Sequence, residues 1–189
     1  RDAVFPRDRP AGVAVMGRSN VGKSSLLNRL FGRTGLARVS KTPGRTREVH
    51  FYLLDERIYL VDLPGFGYAS VSEAMRREWA RLVDSYLDRP GVPALAIQLV
   101  DVRHDPTPLD RQLTAALASR GIRLVVTLTK GDKVSTHASL RAKARAPGLL
   151  GLPEDVPVIV TSAKTGRGID DLSRQIDAAV ASAPAGERA

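Results

Sequence analysis

Apolar runs of strand length alternate along this chain with stretches in which apolar positions recur at helical spacing. Gly12-Val-Ala-Val-Met16 and Leu124-Val-Val-Thr-Leu-Thr129 are the clearest continuous runs. Runs of this kind predict strands over 12–16, 49–55, 57–62, 94–101, 122–129 and 156–161. Helices are predicted over 23–32, 73–88, 107–120, 135–146 and 168–182. Strands separated by helical stretches form βαβ units, hence a largely parallel sheet with helices on both faces. The pair 49–55 and 57–62, joined around Asp55-Glu56, is too close for a crossover and must be an antiparallel hairpin. The predicted fold class is therefore α/β, a six-stranded, mostly parallel sheet with one antiparallel edge strand. Trp79, Leu82, Val83 and Tyr86 share one face of helix 73–88 and read as core rather than as a base-stacking surface. Pro147, Gly148, Gly151 and Pro153 predict a loop over 147–156, and the small, polar tail 183–189 is expected to be flexible.

Between the first strand and the first helix lies Gly17-Arg18-Ser19-Asn20-Val21-Gly22-Lys23-Ser24, a complete G-x-x-x-x-G-K-[ST] followed by Ser25. That strand–loop–helix setting is the context a phosphate loop needs. Its glycines let backbone N–H groups wrap a polyphosphate, and the helix N-terminus adds positive potential. Lys23 would reach the β- and γ-phosphates, and the Ser24 hydroxyl would ligate Mg²⁺. The chain reads as a P-loop NTPase.

Downstream motifs select the nucleotide. Asp62-Leu63-Pro64-Gly65 ends a strand as D-x-x-G, where Asp62 would hold Mg²⁺ through water and Gly65 would offer its N–H to the γ-phosphate. Thr129-Lys130-Gly131-Asp132 ends another. A carboxylate at Asp132 accepts from both N1–H and the 2-amino group of guanine, donors that adenine lacks. Lys130 would lay its aliphatic stem along the base. The last strand runs through Thr161 into Ser162-Ala163-Lys164, whose backbone would meet the guanine O6. Each motif sits at the carboxyl end of a predicted strand, where open α/β sheets bind ligands. A Ras-like G domain for GTP and GDP is expected.

These blocks, with Ser40-Lys-Thr-Pro-Gly-Arg-Thr46 and Asp62-Leu-Pro-Gly-Phe-Gly-Tyr-Ala69, resemble the EngB (YihA/YsxC) family of bacterial ribosome-biogenesis GTPases. That family lies within the TrmE-Era-EngA-YihA-Septin-like superfamily, and the resemblance covers residues 4–182. It implies assistance to assembly of the large ribosomal subunit or its precursor, through rRNA and ribosomal proteins. It also implies that Pro43, Gly44, Arg45 and Thr46 form switch I, with Thr46 closing on Mg²⁺ and the γ-phosphate, so that Lys23, Thr46 and Gly65 carry the catalytic role. Asn20 is similar to the asparagine that helps hold K⁺ in some bacterial GTPases; the alternative is that its amide only stabilises the loop. Thr129 stands where most GTPases have Asn, a departure the family shares, and micromolar GDP affinity is expected from it. Phe66 follows D-x-x-G where Ras-like enzymes place the water-orienting glutamine, so slow intrinsic hydrolysis is expected. Nucleotide-gated RNA binding with incidental hydrolysis, and the detached G domain of a membrane transporter such as FeoB, are the alternatives.

Composition narrows the partners. Twenty-nine Lys and Arg face 20 Asp and Glu, a formal +9 with pI near 10.4 in 189 residues, which favours a polyanionic partner such as RNA. Residues 133–147 hold Lys133, Arg141, Lys143 and Arg145 without an acid, and Arg38, Lys41, Arg45 and Arg47 cluster in the switch I region against Glu48. Aromatic content of 5% disfavours a single-strand stacking platform. There are no cysteines, and His50, His104 and His137 are too scattered to bind a transition metal. No run approaches a membrane span, and a monomer in the cytoplasm is expected.

Overall fold

The computed structural model describes residues 11–30, 32, 50–54, 58–63, 65, 73–88 and 93–183, the side chains of Ala11, Glu73, Met75, Arg76, Glu78 and Trp79 excepted. Its strands are β1 (Ala11–Gly17), β2 (His50–Leu54), β3 (Ile58–Asp62), β4 (Leu95–Asp101), β5 (Leu124–Thr129) and β6 (Val158–Val160). Its α-helices are α1 (Lys23–Leu30), α2 (Glu73–Leu87), α3 (Pro108–Ser119), α4 (Thr136–Leu150) and α5 (Ile169–Ser182), with a 3₁₀ turn over Gly131–Lys133. The sheet order is β2-β3-β1-β4-β5-β6, antiparallel only between β2 and β3.

Two apolar layers explain the near-continuous apolar strands. Val13 and Val15 face one side with Leu60, Ile97, Leu99 and Val125, packed under Leu26 and Leu27 of α1 and Leu172 and Ala179 of α5. Ala14 and Met16 face the other with Val61, Val100, Val126 and Leu128, covered by Tyr86, Leu117 and Leu150 from α2, α3 and α4. A parallel strand buried on both faces has no polar side to alternate with. From the expected stripe on α2, Val83 and Tyr86 are core and Leu82 is half-buried; the side chain of Trp79 lies outside the described residues.

Local signals set the helix ends. Thr107 caps α3 in a capping box with Asp110, and Pro108 sits in the first turn. Buried Gln98 of β4 then pins the helix to the sheet, donating to Asp110 O at 2.8 Å and accepting from Thr114 Oγ1 at 2.9 Å. The expected loop over 147–156 is corrected in its first part: α4 runs through Pro147 and Gly148 to Leu150. Gly151 ends it at φ 68°, its N–H donating to Pro147 O. Pro147 costs the helix one N–H, but Ala146 and Leu150 beside it are 2% and 3% exposed, and their burial outweighs that loss. The tail 184–189 lies outside the described residues, and no helix among those described is long and apolar enough to cross a membrane.

Candidate functional site

The sheet order places the phosphate-loop strand β1 next to β3, which ends in the D-x-x-G, and separates it by β4 from β5 and β6, which end in the base-reading motifs. Val15 of β1 sits opposite Asp62 of β3, and Gly17 opposite Leu99 of β4. A Cβ at Gly17 would stand 2.9 Å from Leu99 Cβ and O, so only glycine lets the chain turn out of the sheet there. Beyond it the loop rounds through Asn20 at φ 62° and Gly22 at φ 104°, closed by Val21 N–H donating to Arg18 O. Val21 is buried beneath the loop; Ser24 is half-buried and Ser25 exposed on the first turn of α1.

Lys23 reaches across to β3. Its Nζ donates to Asp62 Oδ1 and, at 2.6 Å, to Leu63 O. Both side chains are nearly buried, at 10% and 7% exposure, so each neutralises a charge that would otherwise be costly. The expected contact of Lys23 with phosphate is therefore drawn here as a contact with Asp62. Gly65 lies against the loop: a Cβ there would stand 3.2 Å from Ser19 N and Oγ. The Ser19 hydroxyl and Arg18 Nε are buried without hydrogen-bond partners. An ammonium, orphaned loop donors and a carboxylate side by side form the complement of a phosphate paired with a divalent cation. A Mg²⁺–phosphate pair fits this donor set, Lys23 meeting the anion and Asp62 with Ser24 the metal. Among the described residues no cluster of three His, Cys, Asp or Glu exists, and the remaining ligands of such a metal would include phosphate and water.

The base-reading side is a continuous polar network. Thr129 donates from Oγ1 to Val21 O at 2.6 Å, so the hydroxyl makes the tie to the phosphate loop. Lys130, at φ 61°, donates from Nζ to Asn20 O at 2.6 Å and pairs with Asp101 at 2.8 Å. Gly131 is pressed on β6, where a Cβ would meet Val160 Cγ1 at 2.9 Å, and its N–H donates to Thr161 O. Asp132 Oδ1 accepts from Ser162 Oγ at 2.7 Å. That bond holds the Asp132 carboxyl below its ordinary range, against an opposing push from burial, with Lys133 and Lys164 adding to the lowering. The Ala163 N–H makes no hydrogen bond among the described residues, and Lys164 is exposed. Asp132, on the turn after β5, and Ala163, on the turn after β6, thus present an acceptor and an unpaired donor side by side, the pair a guanine edge requires.

The sequence reading missed Asp101. Burial pushes its carboxyl up, but hydrogen bonds from Arg103 and Lys130 more than reverse this and hold it well below the carboxylate range. Arg103 grips it with Nε at 2.9 Å and Nη2 at 2.7 Å. The available signal was its position: Asp101 ends β4 as Asp62 ends β3. Asn20, the candidate K⁺ ligand, is exposed, and its backbone carbonyl accepts from Lys130 Nζ. Pro43, Gly44, Arg45, Thr46, Pro64 and Phe66 lie outside the described residues.

A family profile described as 50S ribosome-binding GTPase matches residues 12–130. A probable GTP-binding protein EngB of Heliobacterium modesticaldum is 42% identical over 173 residues, covering 92% of this chain and 84% of its own. The probable EngB of Gemmatimonas aurantiaca is 46% identical over 164 residues, covering 85% of this chain and 78% of its own. The crystal structure of a probable GTP-binding protein engB superposes with TM-score 0.76 at 27% identity, covering 90% of this chain and 99% of that one.

Proposed function

The chain belongs to the EngB family of GTP-binding proteins, within the ribosome-binding GTPases, and from that premise we propose a slow, Mg²⁺-dependent GTPase that gates assembly of the large ribosomal subunit. The observation that carries the nucleotide reading is the double tie between base side and phosphate loop: Thr129 to Val21 O and Lys130 to Asn20 O. A guanine read at Asp132 and a phosphate held at Lys23 are thereby kept in one register.

In the Mechanism that follows from this geometry, Asp132 accepts the two guanine donors and the Lys130 stem covers the base. Lys23 exchanges Asp62 for phosphate oxygens, and the Gly65 N–H donates to the γ-phosphate. Mg²⁺, when bound at Ser24 and Asp62, supplies charge neutralisation of the leaving phosphate. By family resemblance Thr46 would close on Mg²⁺ and the γ-phosphate. Phe66 has no side-chain group to orient a water, so hydrolysis waits on a group supplied by the particle, or on K⁺ at Asn20. Replacing NaCl by KCl at fixed ionic strength separates the two: turnover that does not rise excludes the cation route.

The +9 charge supports an RNA-rich partner, and the large subunit or its precursor, met in the cytoplasm by a monomer, is the reading adopted. Co-sedimentation with purified 30S and 50S particles tests it, using GDP, a GTP analogue and no nucleotide across a salt series. Selective 50S binding with the analogue supports a nucleotide-gated factor. Equal binding to both particles, blind to nucleotide and lost at modest salt, would refute it.

A further inference from the structure

The acid-free stretch 133–147 does not serve one surface. Arg145 pairs with Asp105 at 2.9 Å, whereas Lys143 lines a groove of about 610 Å³ at the far edge of the sheet. That groove runs along β6, between α4 with Leu140 and Lys143 and the start of α5 with Arg174.

Among the described residues the edge itself is open. The Val126 N–H donates to Pro157 O at 2.9 Å and the Thr161 N–H to Leu128 O at 2.8 Å. In a parallel ladder this turns the N–H and C=O of Ile159 toward β5 and those of Val158 and Val160 outward. Among the described residues no hydrogen bond reaches the outward Val158 N–H and C=O or the Val160 N–H. Only the Val160 C=O is closed off, by Gly168, where a Cβ would stand 2.2 Å from it. Beside these groups Leu140 is 54% exposed. The charged lining is Lys143, Arg167 and Arg174 against Asp171, which Arg174 already pairs.

We propose that this edge takes an extended acidic segment of a partner protein as an added strand. A strand supplies alternating acceptors and donors to Val158 and Val160, its carboxylates meet Lys143 and Arg167, and an apolar side chain covers Leu140. RNA fits less well, because a phosphate brought to this edge meets the Val158 carbonyl as well as the cations. A second copy of this basic chain would bring like charge to the groove. The groove adjoins the base-reading turn, since Val160 precedes Thr161 and the Ser162 N–H donates to Arg167 O. Its lining shares no side chain with the nucleotide motifs, so it adds a protein contact to the proposed RNA contact rather than replacing it.

The test uses the full chain with GDP and an acetylated peptide alternating Glu and Val. Expected are binding, slowed amide exchange at Val158 and Val160, and affinity lowered about tenfold in K143E. Unchanged GDP affinity in that variant shows that it is folded. N-methylation of alternate peptide amides should abolish binding. The proposal is overturned if the peptide does not bind, if the N-methylated peptide binds equally, or if the two amides remain unprotected. An RNA hairpin that displaces the peptide and protects neither amide would also overturn it.

Discussion

The two halves of the nucleotide site are held together differently. The base side, from Thr129 to Ser162, is held mainly by hydrogen bonds whose partners are already in place, hydroxyl to carbonyl, hydroxyl to carboxylate and glycine N–H to carbonyl, beside the part-buried Lys130–Asp101 pair. The phosphate side rests on one buried ion pair, Lys23 with Asp62, between residues 39 positions apart. Paired dipoles can stay as they are when a base arrives. Two opposite charges that neutralise each other must exchange partners when a phosphate and a metal arrive. On the proposed nucleotide reading, the base side is preorganised for recognition and the phosphate side is built to switch.

Breaking the ion pair should have the largest effect. K23M strands a buried carboxylate, and a loss of about 3 kcal/mol is expected in urea unfolding without nucleotide. K23M/D62N should recover most of that stability while GTP binding stays abolished. A double variant no more stable than K23M would show that the pair contributes nothing. On the base side, D132N replaces one acceptor of the two guanine donors with an amide N–H₂. GTP affinity should fall on the order of 100-fold or more, while the fold and the Lys23–Asp62 pair remain, as Tm would report.

T129V leaves the buried Val21 carbonyl without its donor, at a cost of about 1–2 kcal/mol. Because that bond joins the two halves, GDP calorimetry should weaken along with Tm. Lowered Tm with unchanged affinity would confine Thr129 to the fold. The smallest effect is on pH dependence. The Asp101 carboxyl lies below its ordinary 3.8, so its contribution is complete above that value and is lost as pH falls through the lower folded value. Wild type should therefore lose stability more steeply than D101N between about pH 4 and pH 2. Parallel curves would remove Asp101 from the account.

Most of the architecture was legible because it is written in local patterns. The β1 apolar run, the turn glycines and the hairpin too short for a crossover each constrain nearby backbone. Helix α4 was misread at Pro147 because proline and glycine propensities are local, while the burial of Ala146 and Leu150 that overrides them is not. Asp101 was missed for a similar reason. Its neighbours in sequence are unremarkable for the site, and its partner Lys130 lies on the adjacent strand end.

Local pattern was enough to put a phosphate loop, a D-x-x-G and a Thr-Lys-Gly-Asp turn at the ends of β1, β3 and β5, since those motifs depend on spacing and on glycine conformations a few residues long. It took the tertiary structure to show that Thr129 grips Val21 across 108 positions, that Lys23 faces Asp62, and that no described residue pairs with the outer edge of β6. Those contacts follow from the sheet order, with β1 between β3 and β4 and β6 at the rim. Strand order is set by which faces bury together, a property of the whole chain that no local window contains.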